Sequence, residues 1–468
     1  FLRAGGGGST LEGLIKDDSG PLLGATVIVK NTTRGTTTDM DGKFRLEGLQ
    51  PGDVLQVTYV GYDPYEVTYT GQTTLDILMT TTANQLNAVV VTAMGIERQS
   101  KTLSYAAETV GGDDVADIKS VNMINALQGK AAGLQITPNS TGAGGSSKIL
   151  FRGNKSINGS NQPLVVVDGV PLMMNITSDQ VDSNWGAQRD GGDAMSTINP
   201  DDIASISLLK GASAAALYGA VAANGAIMIT TKKGKAGALK VTLSSNTEFL
   251  DPFVQPEFQN RYGTGSNGVR SGSGIYSWGQ KLLPAARYGY TPADFFETGH
   301  VYTNAVTVSG GTDKNQTYFS AASVNSDGII PNNEYDRYNF TFRNTSYFLK
   351  DKLRLDASAS YIYQKDQNMT NQGVYSNPLV PAYLFPRGEN FDLYRRFERY
   401  NEGTKLMEQF WSADMEGGDL RMQNPYWINY RNLRNTDKKR YMLSFSASYD
   451  ILPWLSVSGR VRLDLSLI

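Results

Sequence analysis

Three stretches toward the C-terminal end alternate apolar and polar positions with a period of two. In the first, Leu353, Leu355, Ala357, Ala359, Tyr361 and Tyr363 are interleaved with Arg354, Asp356, Ser358, Ser360, Ile362 and Gln364. Tyr441, Leu443, Phe445, Ala447 and Tyr449 repeat the pattern against Met442, Ser444, Ser446, Ser448 and Asp450. Leu455, Val457, Gly459, Val461, Leu463 and Leu465 repeat it against Ser456, Ser458, Arg460, Arg462 and Asp464. Successive side chains on a strand point to opposite faces, so each stretch predicts a strand with one apolar and one polar face. Tyrosines sit at or near the ends of two apolar faces, as in a transmembrane β-barrel with aromatic interfaces. A soluble antiparallel sheet packed on a core gives the same alternation, and connection lengths favour the barrel. Tyr338–Phe348 meets Leu353–Gln364 through a few residues around Lys350-Asp351-Lys352, and Tyr441–Asp450 meets Leu455–Asp464 through Ile451-Leu452-Pro453-Trp454. About seventy-five residues separate Gln364 from Tyr441. Short turns alternating with long loops fit a barrel, and a soluble domain rarely needs such a connection.

Upstream, the pattern changes twice. Thr10 to about Thr80 predicts a small all-β domain, with runs Ala25–Lys30, Lys43–Leu46, Val54–Tyr59 and Glu66–Tyr69 separated by Gly, Pro, Asp and Asn. Asp39-Met40-Asp41-Gly42 opens like a calcium loop, but Phe44 and Gln50 stand where Gly and Glu are required, so a turn is expected. Thr81–Ser104 reads as a polar linker carrying one apolar patch, Ala88-Val89-Val90-Val91. Such a patch suits either a buried strand or pairing with a visiting strand. From Ala106 to about Gly237 the chain predicts a mixed α/β segment. Val121–Gln128 and Ala212–Tyr218 read as helices; Leu164–Val170, Ile203–Leu209 and Ala226–Thr231 read as strands. Gly142-Ala143-Gly144-Gly145-Ser146-Ser147 lacks a following Gly-Lys-Ser/Thr and is expected to be a turn rather than a phosphate cradle. Asp168, a lone carboxylate at a strand end with no partner in view, is weak evidence for catalysis.

Composition narrows the function classes. The 468 residues exceed one ordinary domain, and no stretch of about eighteen apolar residues runs uninterrupted, so no transmembrane helix is expected. Basic and acidic residues number 43 and 45, which gives no sign of a nucleic-acid partner. There is no cysteine and a single histidine, His300, placed by the pattern in a loop before a strand. Disulfides, thiolate metal sites, histidine-cluster zinc and a Ser-His-Asp triad are all disfavoured, so no catalytic residue, metal or cofactor is expected. The start, Phe1-Leu2-Arg3-Ala4 and four glycines, shows no signal peptide. About seven strands follow Lys240, too few for a wide barrel, so the sequence reads as cut short or partly represented.

Three segments carry a family resemblance. LQGKAAGLQI (Leu127–Ile136), FRGNKSINGSNQPLVVVDGVPL (Phe151–Leu172) and NPDDIASISLLKGASAAALYGAVAANGAIMITTKKGK (Asn199–Lys235) resemble the plug of SusC/RagA-type TonB-dependent transporters of Bacteroidetes outer membranes. The all-β segment resembles the carboxypeptidase-regulatory-like domain that often precedes that plug. The resemblance implies a mainly β chain. Its parts would be a β-sandwich over 10–80, a linker over 81–104, a plug over 105–237 and, over 238–468, the first part of an outer-membrane barrel. The family barrel has about 22 strands around a plugged lumen. The N-terminal domain would then lie in the periplasm.

By position the apolar patch, about Asn87–Met94, corresponds to the TonB box, carried here by Asn87, Ala88, Val89, Val90, Val91 and Thr92. The implied mechanism is active import: TonB, working with ExbB and ExbD, pairs a strand with the box and pulls the plug aside. Glycines of the plug (Gly142, Gly144, Gly145, Gly153, Gly159) would permit tight turns in the lumen. Cargo would be an oligosaccharide, or a peptide, held between barrel and a SusD-like surface lipoprotein. Two regions could meet it. The plug loop Met173–Ser196 offers Trp185, Gln188, Arg189, Asp190 and Asp193 for ligand contact, or for packing. The long loop 365–438 offers Tyr394, Arg396, Phe410, Trp411 and Trp427, residue types that suit a partner interface as well as a sugar. Signal transduction is the alternative within the family, although the segment before Thr80 does not look like a signalling module. An enzyme would need a site that the single histidine does not supply.

Overall fold

The computed structural model describes residues 9–468 except 18–19, 31, 33, 60–61, 63, 80–88, 92–96, 100–106, 118, 139–141, 158–159, 173–189, 191, 271–274, 372 and 418–420. The chain divides into two compact units, residues 1–90 with 97–104 and residues 91–96 with 105–468.

The first unit is a β-sandwich. Ser9–Asp17 pairs antiparallel with Lys43–Leu49 and parallel with Thr74–Leu78 in one sheet. The other sheet has the order Gly35–Thr37, Thr26–Val29, Val54–Thr58, Tyr65–Thr68. Phe44 and Leu46 are buried while Lys43, Arg45 and Glu47 between them are exposed, so the period of two places one face on a core shared with Ile15, Val27, Leu55, Val57 and Ile77. Gly13 is required there, because a Cβ would stand 2.4 Å from the Phe44 ring and 2.2 Å from the Leu75 carbonyl. Asp39–Gly42 is the expected turn: Asp39 Oδ1 accepts the amides of Asp41 and Lys43 at 3.0 and 2.8 Å.

The second unit holds a plug and a wall. The plug is built on a five-stranded sheet in the order Ala107–Gly111, Ile203–Leu209, Ala226–Thr231, Leu164–Val167, Val170–Pro171. Ala226-Ile227-Met228-Ile229 is buried throughout because both faces are covered. Val165, Ile206, Ile227 and Ile229 join one core, and Val166, Leu209, Ala226 and Met228 join the other, under the helix Ala212–Tyr218. Two expectations change here. Leu164–Val170 is not one strand but a hairpin, with Val167 opposite Val170; Asp168 and Gly169 take φ of 48° and 82°, the left-handed pair that an Asp-Gly two-residue turn adopts. The helix expected at Val121–Gln128 is a short 3₁₀ turn, Met123–Leu127, capped by the Asn122 side chain.

The wall is one antiparallel sheet of seven strands in chain order. They are Gly237–Leu250, Gly299–Gly311, Asn315–Asp327, Glu334–Phe348, Leu353–Gln367, Asn435–Leu452 and Leu455–Leu467, called here the first to seventh wall strands. The fourth-to-fifth turn uses left-handed Leu349, Lys350 and Asp351, at φ 55°, 55° and 68°. The strands run further than the alternation alone suggests, so the long loop is 368–434. The apolar rows form the outer face, where Leu443, Phe445, Val461 and Leu463 are exposed, and the polar rows face the plug. His300 lies within the second wall strand rather than in a loop, its ring edge-on to Phe249 at 5.4 Å. No helix among the described residues is long and apolar enough to cross a membrane.

Candidate functional site: the seam between plug and wall

Alternation on the fourth wall strand turns Tyr335, Arg337, Asn339, Thr341 and Arg343 inward. Arg337 is almost fully buried; its Nη1 donates to the carbonyls of Val121, at 3.0 Å, and Ser196. Asn339 Nδ2 donates to Thr197 O at 2.8 Å. Arg343 joins plug and wall: Nη1 donates to Asp168 Oδ2 at 3.2 Å and to Thr231 Oγ1 at 2.7 Å, while Nε and Nη2 hold Asp356 of the fifth strand. Asp168 thus has partners that the sequence did not disclose, and its carboxylate also accepts the Thr231 amide at 3.0 Å. A lone catalytic acid is not what the structure contains. From the sixth and seventh strands Arg440 donates to Thr197 Oγ1 at 3.0 Å, Arg462 to Val167 O at 2.9 Å and Arg460 to Asp168 O. Single guanidinium N–H donors on backbone carbonyls hold the hairpin and the Ala194–Thr197 turn.

Close packing supplements these bonds. Tyr318 and Thr341 donate to Asp202 at 2.9 and 3.1 Å; burial pushes the Asp202 carboxyl above the usual Asp range, with the hydroxyl donors opposing it. Gly144 lies against Tyr335, where a Cβ would stand 2.1 Å from the ring, and its φ is +78°. That plug glycine is fixed by contact with the wall as well as by its turn.

The expected ligand residues divide. Trp185, Gln188 and Arg189 lie outside the described residues. Asp190 accepts the amides of Ser146 and Gly192 at 2.8 and 3.0 Å. Asp193 accepts those of Ser147 and Ser196 at 2.9 and 2.7 Å, and the Asn122 amide as well. Burial raises the Asp193 pKa, and these donors pull it back. Both acids thus pin the glycine-rich loop 142–147. Of the expected TonB box, Asn87, Ala88 and Thr92 lie outside the described residues, and Val89–Val91 forms a strand paired with Glu97–Gln99.

The long loop shares a core with the loop between the first and second wall strands and with Ile330 of the turn between the third and fourth. Trp411 is 5% exposed and packs on Phe385, Phe391 and Tyr394, so its ring faces that core. Tyr394 and Phe410 are part-buried against each other, Trp427 is part-buried, and Arg396 is exposed. The pattern missed Tyr290, Phe295, Phe385 and Phe391, which centre this core. It also missed the wall arginines. Their signal was available: charged side chains at the inward positions of otherwise amphipathic strands.

Comparison with known proteins agrees with this architecture. Residues 11–91 match the CarboxypepD_reg-like domain and residues 99–226 the TonB-dependent Receptor Plug Domain. TonB-dependent receptor SusC of Bacteroides thetaiotaomicron is 32% identical over 82% of this chain and 37% of its own length. TonB-dependent receptor P26 of Formosa agariphila is 32% identical over 94% of this chain and 41% of its own length. The chain belongs to the SusC/RagA family of TonB-dependent transporters. The chain spans well under half the length of these two relatives. A solved structure of the RagAB peptide importer in the 'open-open' state superposes with a TM-score of 0.57 at 19% identity, over 81% of this chain and 42% of that one. It shares the fold. The SusC/RagA family comprises transporters and receptors rather than enzymes. TonB-dependent receptors are outer-membrane β-barrel proteins.

Proposed function

We propose that the whole protein imports oligosaccharides across a bacterial outer membrane, driven by TonB with ExbB and ExbD and assisted by a SusD-like surface lipoprotein. The observation that carries this reading is the seam: a plug held by side-chain hydrogen bonds against the polar face of a sheet whose other face is apolar. Such a sheet suits lipid outside and a blocked aqueous lumen inside. Residues 87–92 serve as the TonB box, since strand pairing grips through the backbone and needs little side-chain specificity. In this reading the N-terminal sandwich lies in the periplasm. Trp185, Gln188 and Arg189 are its cargo contacts on the plug side. Arg396, Phe410 and Trp427 belong to its lipoprotein-facing loop, with Tyr394 and Trp411 supporting them from within.

Peptides are the second cargo to test, because the RagAB neighbour that shares the fold is a peptide importer by name. Uptake of labelled oligosaccharides and of labelled peptides is compared between cells carrying the whole protein and cells whose copy lacks residues 87–92. Loss of oligosaccharide uptake alone supports the proposal. Loss of peptide uptake alone transfers it to peptides, and unchanged uptake of both removes it.

A further inference from the structure

We propose that Arg387 of the long loop is the centre of a site for an oxyanion, the carboxylate or sulfate of an acidic oligosaccharide. This rests on the import reading above and adds the charge class of the cargo. Arg387 is 5% exposed. Its guanidinium lies over two rings from the loop between the first and second wall strands, 4.5 Å from the centre of Phe258 and 5.5 Å from that of Tyr290. The rings attract the cation through their faces but offer no carbonyl or carboxylate to its N–H donors. Nη1 is buried without a partner, and Nε and Nη2 have none among the described residues either. An uncompensated buried charge is strongly unfavourable, so a donor set of this kind calls for an anion. Burial holds the Arg387 pKa below the ordinary arginine value; Tyr290 opposes this, and no carboxylate does.

Further cations gather at the same place. Leu282 packs on the backbone beside Arg387, where a Cβ on Gly388 would stand 2.8 Å from the Leu282 side chain. The Leu282 amide donates to the Arg261 carbonyl at 2.9 Å, and Arg287 Nη2 donates to the Leu282 carbonyl at 3.2 Å. Arg261, Lys281 and Arg287 therefore stand around Leu282, and none of them makes an ion pair among the described residues. Other cations of the two loops are paired: Arg270 with Asp414 at 3.4 Å, Arg395 with Asp392 at 3.1 Å and Arg431 with Glu398 at 2.8 Å. Of the acids adjacent in sequence, Glu389 is occupied by the Ser412 and Tyr394 hydroxyls, which donate to it at 2.9 and 2.7 Å. Glu257 is exposed and makes no ion pair among the described residues. The Nε–Nη2 edge of a guanidinium presents two parallel donors that match two oxygens of a carboxylate or sulfate. Phe258, 37% exposed, offers ring surface beside that edge to the C–H face of a sugar.

The test titrates the whole purified protein with a uronate hexamer, its methyl ester, a sulfated hexose oligomer and hexaglutamate. The expected result is several-fold tighter binding of the uronate or the sulfated oligomer than of the ester, and whichever of the two binds names the oxyanion. Arg387→Gln should erase that preference. Because Arg387 is buried, a second variant, Arg261→Ala/Lys281→Ala at two exposed positions, should weaken the preference while thermal unfolding stays at the parent's temperature. Binding of the ester as tight as that of both anionic sugars, binding of none of the four, or a preference that survives in both variants overturns the site. Tighter binding of hexaglutamate than of either anionic sugar overturns the oligosaccharide and transfers the site to an acidic peptide. Binding to purified protein needs no TonB, so the import reading fails separately, if cargo uptake persists without residues 87–92.

Discussion

Arg343 of the wall and Asp168 of the plug sit 3.2 Å apart, and the same guanidinium holds Asp356 of the neighbouring strand at 3.0 Å. One cation therefore serves two acids from two parts of the fold, with Asp168 held in turn by the hairpin that its own left-handed backbone creates. Replacing Arg343 by Met strips the buried Asp356 of its forked partner and removes the side-chain tie of the hairpin to the wall, leaving the Arg460 and Arg462 bonds to its backbone. Removing one partner of a buried pair costs about 3–5 kcal/mol. Limited proteolysis should cut the plug of Arg343→Met sooner than that of the parent, and Arg343→Lys should rescue little, because Lys cannot fork.

Gly144→Ala tests contact rather than charge. The new Cβ meets the Tyr335 ring at 2.1 Å and the residue keeps φ +78°, so overpacking of about 1–3 kcal/mol adds to backbone strain. Thermal unfolding should move down. The double variant Gly144→Ala/Tyr335→Ala should recover the part due to the ring and not the part due to φ.

Which of these features the amino-acid pattern discloses follows from physics. The fifth and sixth strands are legible because their inner face meets a polar plug and their outer face is apolar, so alternation survives. Ala226–Thr231 is legible for the opposite reason, both faces being covered. Asp168-Gly169 carried a hairpin signal that was masked by the apolar run around it. Trp411 is not decided by the pattern, because an aromatic residue in a polar loop has the same composition whether it faces a partner or a core formed between loops. The partners of Asp168 lie 63 and 175 residues away, a pairing that no local pattern encodes.

Trp411 and Arg396 separate these two possibilities experimentally. Trp411→Ala empties a site among Phe385, Phe391 and Tyr394 and should destabilise the loop by about 3–5 kcal/mol, seen as early proteolysis within 368–434. Arg396→Ala, at an exposed position, should change stability by no more than about 0.5 kcal/mol. On the proposed function, its effect should appear only in affinity for the SusD-like lipoprotein, measured on the purified pair.

Acid should loosen the plug strand Ala107–Gly111 that lies nearest in sequence to the proposed TonB box. Lys210 donates to Glu108 and holds its carboxyl below the ordinary value of 4.5, with burial opposing more weakly. A depressed acid stabilises the fold above its unfolded value and loses that contribution as pH falls through the lower native value. Hydrogen exchange at Thr109 and Val110 should therefore accelerate, beyond its intrinsic pH dependence, as the medium is acidified below 4.5. Glu108→Gln should flatten that excess. If the variant and parent keep the same pH profile, the Lys210 contact does not hold this edge strand.

Val90→Pro addresses the box itself. Proline removes a backbone donor and is excluded from the interior of paired strands, so a grip made through backbone hydrogen bonds should fail. The plug–wall contacts of Arg343, Tyr335 and Asp202 lie elsewhere in the chain. The variant loses its pairing with Glu97–Gln99 but should keep the proteolytic pattern of the plug while losing cargo uptake. Val90→Thr, which retains the donor and a β-branched side chain, should keep most of the uptake. If Val90→Pro transports normally, the pulling strand pairs outside residues 87–92. If Val90→Thr fails as completely as proline, side-chain recognition rather than strand pairing governs the grip.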